Sequence, residues 1–179
     1  TKYTKYGWAP LGVFGRDVYV GELYRVTYHT KKGTDHLVDT ADWFAQFYTN
    51  GDAHGWYGER INAEPYFSEN LTETPGEWTE WQTDAGQPNR LRFFDSNIDF
   101  GGYDDGFLQD LTNDPFYADQ TIMVFGLATG SAWAEGFDGI VDGLTVELVS
   151  PTEVVDDPGN RLFRLGMTLV MRQLQIFDG

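Results

Sequence analysis

Short runs of alternating apolar and polar residues, closed at short intervals by glycine, proline or asparagine, recur along most of this chain. That rhythm restricts the fold more than any other feature, because a period of two suits a strand with one buried face and does not suit an amphipathic helix. Within residues 17–29, Leu23, Arg25, Thr27 and His29 alternate with Tyr24, Val26 and Tyr28, which predicts one long strand or two short ones. Turn chemistry at 31–34 and an aromatic run at 43–49, ended by Asn50 and Gly51, predict a hairpin. Residues 51–76 are dense in breakers, so short strands and exposed loops are expected there. At 77–83 the alternation places Trp78 and Trp81 on opposite faces of a strand. Residues 90–94 add a short apolar piece, and 105–111 is the best candidate for a helix.

The stretch 121–128 is almost continuously apolar and predicts a central strand buried on both sides. In 139–149, Leu144, Val146 and Leu148 alternate with Thr145 and Glu147 before Ser150 and Pro151 end the strand. Beyond a break at 156–159, Phe163, Leu165, Met167, Leu169 and Met171 occupy alternate positions and predict a terminal strand. The expected fold class is therefore all-β, an antiparallel β-sandwich or jelly roll with at most one short helix. One domain, 1–179, is expected, with the sandwich core in 15–149. A terminal strand in 160–179 would dock on its own sheet or on a neighbouring subunit.

Charge narrows the partners. Twenty-eight acidic residues against twelve basic ones give a net charge of -16, which repels phosphate backbones and anionic lipid headgroups within a Debye length. Nucleic acid is excluded as a partner, and no apolar run approaches the roughly 20 residues that span a bilayer, so membrane insertion is not expected. The acidity suits a secreted or surface protein, a halophilic or marine setting, or the binding of divalent cations. There is no cysteine, hence no disulfide framework and no thiolate metal site.

Two stretches carry a resemblance: Pro75-Gly-Glu-Trp-Thr-Glu-Trp81, and Gly130-Ser-Ala-Trp-Ala-Glu-Gly-Phe-Asp-Gly-Ile-Val-Asp-Gly-Leu-Thr-Val146. They resemble the lectin-like, concanavalin-like jelly-roll domains of secreted bacterial surface proteins, over roughly residues 20–149. The resemblance implies an extracellular or cell-surface β-sandwich used for adhesion or glycan contact, without defining the ligand.

Candidate site residues follow from side-chain chemistry. Asp95, Asp99, Asp104 and Asp105 lie in a glycine-rich stretch that offers the oxygen ligands calcium takes. The spacing at 95–99 opens like an EF-hand loop, but Phe100 replaces the required glycine and Gly106 the bidentate glutamate, so an EF-hand is rejected. A looser calcium site and a set of capped turns remain the two readings of these aspartates, and turns are expected at Asp138 and Asp142. Trp56, Tyr57, Trp78, Trp81 and Trp133 have rings suited to stacking on sugars, with core packing as the alternative for each. Trp56 and Tyr57, flanked by Gly55 and Gly58, form the expected exposed pair, with Arg60 close enough to donate to a glycan. Trp56, Tyr57, Arg60 and Trp133 are thus the expected ligand-binding set. His29, His36 and His54 are too scattered for a zinc set, and no nucleophile elbow or phosphate loop is present. The expected function is a non-catalytic recognition or adhesion domain. Two alternatives stand beside it: a structural subunit of a virion, filament or surface layer assembling with copies of itself, and a polysaccharide-active enzyme.

Overall fold

Aromatic and β-branched segments pair into two antiparallel sheets in the computed structural model, which describes residues 4–34, 42–50, 60–95, 106–130 and 138–149. The strands are β1 (Lys5–Trp8), β2 (Leu23–Lys32), β3 (Phe44–Thr49), β4 (Arg60–Ala63), β5 (Thr79–Gln82), β6 (Phe94–Asp95), β7 (Ile122–Ala128) and β8 (Gly139–Leu148). One sheet has the order β1-β7-β3-β4-β6 and the other β5-β2-β8, with every pairing antiparallel. The chain changes sheet repeatedly, so strands far apart in sequence become neighbours: Trp8 pairs with Phe125 and Val26 with Val146. This is the expected β-sandwich.

The interior is built on aromatic rings. Phe47 stacks on Phe93 at 5.7 Å and meets Phe125 edge-on at 5.7 Å, while Phe14 meets Phe125 edge-on at 6.0 Å. Each such pair adds about 0.5–1.5 kcal/mol beyond the area it buries. The smaller sheet contributes Val26, Tyr28, Trp81, Val146 and Leu148 to this core. Its opposite face is polar, with Arg25 opposite Glu147 and His29 between Glu80 and Asp142 in the strand register.

Several expectations are corrected by this topology. The hairpin joining residues 17–29 to 43–49 does not form: β2 is flanked by β5 and β8, so no edge is left for β3, which pairs instead with β4 and β7. β3 is buried along its whole length and has neighbours on both sides in the larger sheet. β7, expected in that role, exposes Met123 at its start, where the register with β3 shifts. Among the described residues two short α-helices are present where at most one was expected. α1 (Pro10–Phe14) begins with proline, whose missing N–H is no loss in a first turn, and ends at Gly15 in the left-handed region (φ 71°). α2 (Leu108–Asn113) is the expected helix, displaced toward the C-terminus, and it buries Leu108 and Leu111. β1 carries the sheet N-terminal of the expected boundary at residue 15. The expected terminal strand in 160–179 lies outside the described residues.

β8 contains a bulge opposite β2, where the register shifts between Thr27 and His29. Gly143 takes φ 66° there, and its N–H donates to Asp142 Oδ1 at 2.7 Å. Asp142, expected in a turn, lies instead within β8, beside this bulge.

Candidate functional site

The site grows from the alternation at β5. Thr79 and Trp81 face the interior, and the Trp81 indole N–H donates to Thr30 Oγ1 at 2.7 Å, fixing the strand's roll about its axis. Period two then sends Trp78 and Glu80 outward, and Trp78 is 49% exposed. Sequence alternation anticipates this division between the two tryptophans.

Outside β5 an open groove of about 330 Å³ runs along Trp78, bounded by Glu80, Gln82, Arg25, Thr72 and Asn89. That volume lies at the lower end of the range for small-ligand sites, about 300–1,000 Å³. Its walls are held by hydrogen bonds. Gln82 spends both ends of its carboxamide on the neighbouring turn, accepting from the Asp84 N–H at 2.7 Å and donating to the Pro88 carbonyl at 3.0 Å. Asn89 is 5% exposed and adopts φ 53°, a left-handed conformation that asparagine tolerates. Its Oδ1 accepts from the Thr72 backbone N–H at 2.6 Å and from the Thr72 hydroxyl at 3.3 Å. Because only the oxygen of a carboxamide accepts, this fixes which end of Asn89 carries the NH2 donor.

The charges of the groove are unequal. Arg25 is the cation on its wall, and its Nε lies 3.1 Å from Asp84 Oδ2 while Nη1 lies 3.4 Å from Glu147 Oε1. Two carboxylates thus flank one guanidinium, and the exposed Glu80 adds a further negative charge on the same face.

Two other polar clusters are enclosed. On the outer side of the larger sheet, Gln46 Nε2 donates to Asn62 Oδ1 at 2.7 Å, and the Tyr48 hydroxyl donates to Gln46 Oε1 at 3.1 Å and contacts the Lys5 ammonium. Within the sandwich, the Thr30 hydroxyl donates to Asp42 Oδ2 at 2.7 Å and the Trp43 N–H to Asp42 Oδ1 at 2.6 Å. The Asp42 carboxyl also shares a hydrogen bond with Glu73, whose Oε2 lies 3.5 Å from Lys32 Nζ. Burial, then the Glu73 carboxylate, hold the Asp42 carboxyl well above the usual carboxylate range. Burial likewise raises the Tyr28 phenol.

Of the residues expected to bind ligand or metal, Arg60 and Asp95 are described; Trp56, Tyr57, Trp133, Asp99, Asp104 and Asp105 lie outside the described residues. Arg60 pairs with Tyr48 across β3 and β4, on the larger sheet, and does not line the Trp78 groove. Asp95 is buried and accepts a hydrogen bond from the Tyr117 hydroxyl at 3.0 Å. Among the described residues no group of three or more histidine, aspartate or glutamate side chains is placed to hold a metal ion. Asn89, Thr72 and Arg25 were not singled out by sequence. They come together through the pairing of β2 with β5 and the return of residues 89–91 beside Gln82, and no local motif marks that approach.

No family model, curated protein or solved structure matches the chain.

Proposed function

We propose that this chain is a non-catalytic recognition domain, working outside the cell or at its surface, that binds glycan in the groove beside Trp78. The observation that carries the reading is the half-exposed indole of Trp78, immediately before β5, next to an oriented carboxamide and a carboxylate. The flat apolar face of an indole matches the CH face of a pyranose, while amide donors and carboxylate acceptors suit its hydroxyls. The resemblance of residues 75–81 and 130–146 to lectin-like jelly rolls supports the same reading. A glycosidase would place two carboxylates across the scissile bond. Of the two on this groove, Asp84 is bound to Arg25, which leaves Glu80 alone for that role.

The test is a glycan array probed with the wild-type chain and with Trp78→Ala, alongside thermal melts of both. Wild-type binding that the substitution removes at an unchanged melting temperature supports the proposal. Undiminished binding by Trp78→Ala excludes this groove as the site.

A further inference from the structure

We infer that the groove selects uncharged glycans and rejects sulfated or uronic ones, an inference that rests on the glycan reading above. Recognition of an anionic sugar needs a cation free to pair with it. The groove's guanidinium, that of Arg25, is already charge-paired within the protein: Asp84 Oδ2 lies 3.1 Å from its Nε, in ion-pair contact without a hydrogen bond, and Nη1 donates to Glu147 Oε1 at 3.4 Å. A ligand carboxylate or sulfate approaching Arg25 would have to displace one of these, and it would do so beside Glu80 and against a chain of net charge -16.

The neutral groups of the site point to the same ligand class. Asn89 lines the groove at 5% exposure and its oxygen is held by Thr72, so its NH2 group is the end not bonded to Thr72. Glu80 offers acceptor oxygens on the same face of the strand as Trp78. Two positions separate them, roughly 7 Å along an extended chain. A sugar hydroxyl is both donor and acceptor, so one pyranose stacked on Trp78 can accept from Asn89 and donate to Glu80. A sulfate or carboxylate can only accept, and it would meet Glu80 with like charge. Gln82 does not compete for the ligand, because both ends of its amide are bound within the protein.

The experiment is calorimetric titration of the whole chain with dextran and dextran sulfate, and with an array of neutral hexasaccharides matched to uronic-acid counterparts. Neutral members are expected to bind in a Trp78-dependent way, with affinity that changes little as salt is varied. Their anionic counterparts are expected to be at least about tenfold weaker. Glu80→Gln is expected to narrow that gap by lifting the anionic affinities. Anionic members that bind as well as or better than neutral ones would overturn the charge selectivity while leaving the glycan reading in place. Absence of binding to every member, neutral and anionic, would overturn both.

Discussion

Trp78, immediately before β5, and Trp81, within it, stand three residues apart and point to opposite sides, one 49% exposed beside the groove and the other fully enclosed with its N–H on Thr30. The two substitutions should therefore separate binding from stability. Trp81→Ala removes a filled core volume and leaves the Thr30 hydroxyl without its donor, so a loss of about 3–5 kcal/mol is expected in chemical denaturation. Trp78→Ala should change stability by no more than about 0.5 kcal/mol, as surface substitutions commonly do.

The interior carboxyl pair predicts the direction of a pH dependence. Asp42 holds its proton in the folded chain at pH values where the unfolded chain has released it, because burial and Glu73 raise its affinity for the proton. Folding then takes up a proton, so stability conferred at Asp42 is full at low pH. It is lost as pH rises from the ordinary aspartate value, about 3.9, through the raised folded value. Glu64, raised by burial, acts with the same sign. Denaturation midpoints measured from pH 4 upward should fall less steeply in Asp42→Asn, which keeps a neutral polar group at that position. An unchanged slope in the variant would contradict the assignment of the proton to Asp42.

Asn89 links the groove to the frame that holds it. Asn89→Asp retains an oxygen to accept from the Thr72 N–H, while replacing the NH2 donor by a second acceptor. At neutral pH the variant should bind neutral glycan at least about tenfold more weakly and should also lose stability, because a carboxylate then occupies a buried position. Asn89→Ala should do both kinds of damage, with about 1–3 kcal/mol lost because the buried Thr72 amide forfeits its partner.

The enclosed pair on the larger sheet predicts a coupled pattern. Gln46→Leu or Asn62→Leu alone leaves the other amide buried without its partner, at about 1–3 kcal/mol. The double substitution should cost less than the sum of the two. A double-mutant cycle by urea denaturation measures the difference, and simple additivity would contradict the direct bond between them.

How far the molecule could be read in advance depends on the range of the forces concerned. Alternation located β2, β5 and β8, and aromatic or continuously apolar runs located β3 and β7, because side-chain direction and composition along a strand are local properties. Alternation also divided Trp78 from Trp81. It did not show that β2 is filled on both edges by β5 and β8, nor that β3, rather than β7, is buried throughout, because pairing partners are chosen across the whole chain. The groove shows the same limit. Trp78 was among the aromatics named for sugar contact, whereas Asn89 and Arg25 acquire their roles only when residues 70–72 and 89–91 and strands β2 and β8 are brought beside it. Asp95 illustrates the converse: its place in an acidic stretch suggested a metal ligand, and the fold turns it inward to the Tyr117 hydroxyl.

The most direct test of the groove is an NMR titration of the indole N–H signals of the chain's six tryptophans. Trp78→Phe and Trp81→Phe assign the two signals, and a neutral oligosaccharide that binds the wild-type chain serves as the titrant. The Trp78 signal should shift progressively to saturation while that of Trp81, bonded to Thr30 in the core, stays in place. Saturable binding that leaves the Trp78 signal unmoved would place the ligand elsewhere on the molecule and contradict the assignment of this groove.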